Sequence, residues 1–332
     1  MTVHVKPIRW GILGTGGIAH KFAQGLQWAP GAVLAAVGSR DPSTADAFAR
    51  EFNVPHAYGS YSELAQSPEV DVIYVSTPHF FHYENSLLCL ENGKAVLCEK
   101  AFTINAREAQ AVIDYARQKG LFVMEAMWTR FLPVAVRLRR MVAEGLLGEL
   151  HSLAARFTFR ADYNPQGRLF NPALGGGALL DVGVYPIAWA AMLFGEPTEI
   201  HGIAHLSGQG VDERATMLLG YAGGQTASLF ASLTTVSPDR STLMGSQGYL
   251  TLHGRLAHPT RITLSLKNKP DEELDVSFEG NGYQFEALHV MECLRQGKLE
   301  SEIMSLDETL SIMRTMDQLR QQMGVFYPGE TA

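Results

Sequence analysis

Residues 8–19, IRWGILGTGGIA, constrain the fold more than any other stretch. An apolar run (8–13) leads directly into Gly14, Gly16 and Gly17, then into helical apolar spacing over 18–28. A strand that turns this sharply into a helix needs glycine, which alone takes positive φ without a Cβ clash. The rhythm then repeats. Residues 33–37 read as a second strand. Asp41-Pro42 starts a helix running to about Phe52, with Asp as N-cap and Pro at the first helical position. Residues 70–75, 95–98 and 121–124 read as further buried strands. Between them lie a helix over about 81–93 and another that stops at Gly120, with Asn105 and Glu108 at capping-box spacing. Strands alternating with helices predict βαβ crossovers and a parallel sheet covered on both faces.

After about residue 150 the rhythm changes. Segments near 150–159, 199–206, 214–221, 225–233, 249–253, 261–266 and 273–278 read as strands, and Gly223-Gly224 between two of them signals a hairpin. Helices over Tyr283–Arg295 and Leu306–Met323 close the chain. At 332 residues the chain exceeds a typical single core. The fold class expected is α/β: a doubly wound parallel sheet in residues 1–127, then an α+β domain with an open, mostly antiparallel sheet in 128–332. The last helix is expected to return to the first domain.

A net charge of −7, with scattered basic residues, disfavours nucleic acid and anionic membrane surfaces. The densest basic cluster, Arg137, Arg139 and Arg140, fits the polar face of one helix. MTVHVKPIRWGILG lacks the pattern of a signal peptide, and no window approaches about 18 unbroken apolar residues. Three cysteines, Cys89, Cys98 and Cys293, lack CxxC spacing, which argues against a disulfide framework or a structural zinc site. A soluble, cytoplasmic protein with reduced thiols is expected.

The glycine motif has a chemical reading. Gly14 permits the turn, Gly16 lets backbone approach a pyrophosphate, and small Ala19 allows close packing of helix on strand. The N–H groups of Gly17 and Ile18 would face that pyrophosphate. A glycine-rich turn without ligand is the bland alternative, and the strand–turn–helix context weighs against it. At the tip of the second strand stand Ser39 and Arg40. A 2′-phosphate calls for such groups, whereas a ribose 2′-hydroxyl calls for a carboxylate. Asp41 is the rival, but is expected to be occupied as N-cap. NADP is therefore favoured, with NAD as the alternative.

Two more constellations carry chemistry. The apolar run 95–98 ends in Glu99-Lys100, and charges are rarely buried unless paired. Ligands of open parallel sheets bind beyond the carboxyl ends of the strands, so Lys100 can donate to a developing alkoxide; the alternative is a structural ion pair. Thr77, Pro78, His79 and His82 end the neighbouring strand and either line the cofactor or simply start a helix. No third ligand accompanies the two histidines, so no metal is expected. Farther on, LGGGALLDVGVYP (174–186) carries Asp181 and Tyr185. A helix would place them on one face; Pro186 implies a start near Gly183 or a kink. A core tyrosine bonded to backbone is the equal alternative.

Taken in order, IRWGILGTGGIA, STPHFFH, CEKAF, EAMWTRFLP, GGGALLDVGVY and YQFEALHVMECLRQG resemble the glucose–fructose oxidoreductase/inositol dehydrogenase (Gfo/Idh/MocA) family. Within it the chain is most similar to the dimeric dihydrodiol dehydrogenase branch, which includes NADP-dependent D-xylose dehydrogenases. The resemblance implies a Rossmann domain, then a domain whose open sheet forms homo-oligomer contacts. It implies that Lys100 is catalytic with Glu99 beside it. Tyr185, standing where most relatives have histidine, becomes the proton donor or acceptor, with Asp181 orienting a hydroxyl or the lysine. Trp128, Arg130 and Phe157 match substrate-wall positions. The expected activity is NADP-dependent hydride transfer with a sugar, polyol or vicinal diol. A non-catalytic NADP sensor and a reductase of dicarbonyls or keto-sugars are the alternatives. Ala101 replaces the usual proline after the lysine. A non-proline cis bond costs about 2.5–4 kcal/mol, so Lys100 is expected to be aimed by other means than a cis bond.

Overall fold

The computed structural model describes residues 6–330; residues 1–5, part of the stretch read against a signal peptide, lie outside the described residues. The chain forms two compact units. The first comprises Met1–Thr103, Arg107–Trp128 and Glu279–Thr309, and the second Ile104–Ala106, Thr129–Phe278 and Leu310–Ala332. Residues 279–309 thus belong with the N-terminal sheet.

In the first unit, β1 (Ile8–Leu13), β2 (Ala32–Gly38), β3 (His56–Tyr58), β4 (Val72–Val75), β5 (Ala95–Glu99) and β6 (Val123–Ala126) form one parallel sheet in the order 3-2-1-4-5-6. This is the doubly wound order, with its switch point between β1 and β4. The helices α1 (Gly17–Leu26), α2 (Pro42–Phe52), α3 (Tyr61–Gln66), α4 (His82–Glu91) and α5 (Ala106–Lys119) alternate with the strands. β3 and α3 were not anticipated. β3 has three half-exposed to exposed residues and no apolar run to betray it. The sheet core is Trp10, Ile12, Ile73, Tyr74 and Leu97, all fully buried. Phe22 of α1 stacks on Tyr74 at 3.8 Å between centroids and meets the edge of Trp10.

In the second unit, α6 (Pro133–Ala143) precedes an eight-stranded sheet of β7 (Leu150–Thr158), β8 (Glu199–Leu206), β9 (Asp212–Gly220), β10 (Thr226–Ser232), β11 (Arg240–Gly245), β12 (Gly248–His253), β13 (Arg261–Leu266) and β14 (Glu272–Asp275). Their order is 14-13-12-11-7-10-9-8. Only β7 and β10 pair in parallel; the other neighbours are antiparallel. Gly223-Gly224 lies in the β9–β10 hairpin as expected, while β11 was missed because RSTLMG is short and mixed in polarity. One face is the core, with Leu153, Met217, Leu229, Leu243, Leu250 and Ile262 buried. α7 (Val184–Phe194) covers it.

α8 (Tyr283–Arg295) lies in the first unit, and α9 (Leu306–Met323) begins there and runs into the second. On α9, Gln322 accepts from the Gly202 N–H at 2.9 Å and donates to the Ile200 carbonyl at 2.9 Å. It thereby occupies the free backbone groups of edge strand β8. The stretch Pro172–Phe194 is long and apolar enough by length and composition to cross a membrane, but Asp181 interrupts its apolar run and 78% of its most apolar 18 residues are buried inside the protein.

Candidate active site

At the switch point of the first unit, Gly14 has φ +108°, and a Cβ there would meet Ser76 Oγ at 2.9 Å. The turn therefore requires glycine. A Cβ on Gly16 or Gly17 would enter open space. Gly16 is the N-cap of α1 and supplies no side chain, so the amides of Gly17 and Ile18 keep no capping partner. Ala19 is fully buried against the sheet. A void lined by bare backbone at an uncapped helix start fits a pyrophosphate.

At the tip of β2, Asp41 is spent on α2. Its Oδ1 accepts from Ser43 N at 2.9 Å and from the Ser43 hydroxyl at 2.8 Å, which holds the carboxyl below its usual range. Ser39 Oγ lies 2.6 Å from Thr44 Oγ1. Arg40 is exposed, with its guanidinium 5.7 Å from the Phe81 ring centroid. The groups presented at this tip are a cation and hydroxyls.

Beyond β4, Thr77 and His79 are buried, and Pro78 caps a short 3-10 turn over His79–Phe81. His82 is fully enclosed. Its Nδ1 lies 2.8 Å from the Ala101 carbonyl and its Nε2 2.8 Å from the Thr77 carbonyl. Burial pushes its pKa down to about 4, opposed by the two carbonyls, each of which favours an N–H on the nitrogen facing it. His82 thus ties the end of β4 to the residue after Lys100, a bracing role its sequence position did not reveal.

Glu99 ends β5 fully enclosed. The Tyr74 hydroxyl donates to its Oε1, and the Lys100 N–H donates to Oε2 at 3.2 Å. Lys100 itself is half-buried. The Lys100–Ala101 peptide bond is cis, which corrects the expectation that alanine would impose another arrangement. Glu286 of α8 is a further buried carboxyl. Burial first, and then the Glu99 charge, raise its pKa well above the ordinary range, and neither oxygen has a hydrogen-bond partner among the described residues. Both effects favour its protonated form. Trp128 stacks on Tyr283, 4.5 Å between centroids and 18° from parallel.

The second unit holds the other chemistry. The glycine-rich entry is tightly built: a Cβ on Gly176 would come within 2.9 Å of Asn171 N and Leu169 O, and Gly177 has φ +121°. A π turn over Leu179–Gly183 then runs into α7. Pro186 falls just past this junction, where the wider turn accommodates a missing amide. Asp181 therefore lies in the π turn and Tyr185 in the α-helix, so simple helical spacing does not describe the pair. Arg168 Nη1 donates to Asp181 Oδ1 at 2.8 Å. The Tyr185 ring is buried, tilted against Phe157 at 5.2 Å between centroids.

Three contacts pin this segment. Arg130, itself buried, donates from Nη2 to the Ala188 carbonyl at 2.6 Å. The Tyr327 hydroxyl donates to the Gly176 carbonyl at 2.6 Å. Asp212 Oδ2 accepts from Leu179 N at 2.6 Å, while burial pushes its carboxyl up to about 7. Neither Asp212 nor Tyr327 carries a motif that would single it out in the sequence. The structure gathers Ser39, Thr77, His82, Glu99 and Lys100 at one edge of the parallel sheet. It gathers Arg130, Phe157, Asp181 and Tyr185 around α7. Of the three wall residues, Trp128 belongs to the first unit and Arg130 and Phe157 to the second.

Residues 8–127 match the family model described as an oxidoreductase family with an NAD-binding Rossmann fold. Residues 135–251 match the GFO/IDH/MocA C-terminal domain. The chain is 37% identical to mouse trans-1,2-dihydrobenzene-1,2-diol dehydrogenase, covering 97% of this chain and 98% of that protein, and 38% identical to the human enzyme over the same shares. Among solved structures it is similar to KijD10, a 3-ketoreductase from Actinomadura kijaniata in complex with NADP and TDP-benzene. That likeness has a TM-score of 0.86 at 27% identity, over 96% of this chain and 98% of that one.

Proposed function

The chain belongs to the GFO/IDH/MocA oxidoreductase family, and on that footing we propose that it transfers hydride between NADP and a secondary hydroxyl of a vicinal diol, polyol or sugar. The observation that carries this is the near-full-length likeness to dihydrodiol dehydrogenases. Asp41, committed to capping α2, leaves Arg40 and Ser39 to receive a 2′-phosphate. Gly14, Gly16, Gly17 and Ile18 receive the pyrophosphate, and Thr77, Pro78, His79, His82 and Glu99 shape the edge next to it. NADP, when bound, supplies the hydride acceptor or donor. Lys100 and Tyr185 take up the hydroxyl proton on oxidation and return it on reduction. Asp181, held by Arg168, orients a hydroxyl. Trp128 and Phe157 offer flat apolar walls, and Arg130 holds α7 in place.

The test is initial rates of NADPH formation with trans-dihydrodiols, aldoses and polyols, run with NADP and NAD in parallel. Turnover preferring NADP supports the reading. NADPH binding with no turnover on the whole panel supports a sensor instead. The likeness to a ketoreductase favours one second reading, net reduction of a carbonyl, measured as NADPH consumption with dicarbonyls and keto-sugars.

We also propose a cytoplasmic homodimer that uses neither membrane nor nucleic acid. The outward face of the second sheet exposes Ile203, Leu218 and Tyr249, an apolar surface suited to a second copy. Sedimentation that finds only monomer would remove this element.

A further inference from the structure

We infer that His289, Cys293 and Glu302 form a transition-metal site of the zinc type, separate from the chemistry above. His289 and Cys293 stand one turn apart on α8, so both donors leave the same side of the helix. Their Nε2 and Sγ atoms lie 3.4 Å apart. A tetrahedral zinc, with bonds of about 2.0–2.1 Å to nitrogen and about 2.3 Å to sulfur, sets those atoms roughly 3.6 Å apart. The helix therefore already holds two ligands at the spacing the metal needs. A Glu302 carboxylate oxygen lies with them in a cluster no wider than 4.8 Å. Glu302 is on the surface, and its tie to Lys298 (3.1 Å) is an exposed ion pair of little strength. It can close the remaining distance.

The protonation state of the histidine is also right. Ser301 Oγ accepts from Ile303 N at 3.0 Å and from Met304 N at 3.1 Å. Both of its lone pairs are then used, so its hydroxyl proton points to His289 Nε2, 2.7 Å away. Nε2 is an acceptor in a neutral ring, and a metal there displaces the Ser301 hydroxyl from that lone pair. A cysteine thiol is mostly protonated at neutral pH and must ligate as thiolate, so binding releases one proton: thiol, imidazole, carboxylate and M²⁺ give the thiolate complex and H⁺. The two anionic ligands offset the metal charge, and water takes the fourth position. Such a site would fasten α8 to the connection that leads into α9.

The experiment is titration of the metal-stripped full-length protein with Co²⁺, read by absorbance, followed by Zn²⁺ competition. The expected result is one equivalent bound, with a thiolate-to-cobalt charge-transfer band and tetrahedral d–d bands that Zn²⁺ abolishes. Affinity should rise about tenfold per pH unit near neutrality, as one proton leaves. C293S and H289Q, checked for wild-type circular dichroism and turnover, should lose the band. Absence of the band in the wild-type protein overturns the site. So does equal Co²⁺ affinity in folded C293S, which would mark binding elsewhere. Loss of turnover is not the readout, so failure of this site leaves the proposed activity intact.

Discussion

At the edge of the parallel sheet, Glu99 and Lys100 are placed mainly by backbone, the end of β5 and the turn after it, with one side chain, His82, set between the Thr77 and Ala101 carbonyls. At α7, Tyr185 is aimed by side chains that reach in from far along the sequence, with Arg130, Asp212 and Tyr327 each gripping one backbone group of the same segment. The contrast has consequences. A backbone-aimed group tolerates change around it and fails when it is itself replaced. A side-chain-aimed group fails at distant positions that never touch substrate.

The sharpest way to break the first half is Lys100→Ala. Turnover should fall about 10²- to 10⁴-fold, the usual range for a lost proton-transfer group, with NADPH affinity kept. Stopped-flow and fluorescence titration separate the two. Next in size, Gly177→Ala tests the second half. Its φ of +121° and its closeness to Asp212 leave no room for a methyl, so the melting temperature should drop with a loss of about 1–3 kcal/mol or more.

Asp212 sharpens the comparison through pH. Its carboxyl, raised to about 7, keeps a proton that the unfolded chain releases near 4. Its contribution to stability is full below about 4 and is lost as pH rises through about 7. Asp212→Asn keeps an acceptor for Leu179 N and removes the titration. Its melting temperature relative to wild type should climb between those pH values; a constant offset would reject this reading. The smallest effect belongs to Arg40→Ala. The KM for NADP should rise about tenfold, worth about 1.4 kcal/mol, with the KM for NAD little changed. A parallel rise for both would show that Arg40 does not read the 2′-phosphate.

The same contrast explains what could be read from the sequence. The parallel sheet announced itself because most of its buried strands are continuous apolar runs and its first two crossovers begin with a glycine turn and an Asp-Pro start. Glu99-Lys100 stood out as charges at the end of such a run. β3 was invisible because three half-exposed to exposed residues carry no period. The π turn was invisible because its winding depends on Asp212 holding Leu179 from 33 residues away. Glu286 is similar. Nothing local in YQFEALHV says that this glutamate lies in the core beside Glu99. Residues that act by position in three dimensions leave no mark at short range.

The most direct measurement is NADP reduction by a vicinal diol in Tyr185→Phe, alongside NADPH affinity by fluorescence. The phenyl ring keeps its packing on Phe157 and loses only the hydroxyl. A fall in kcat of about 10²-fold or more with unchanged NADPH affinity would establish Tyr185 as the proton-handling group. Wild-type turnover in this variant would contradict it and return Tyr185 to the core.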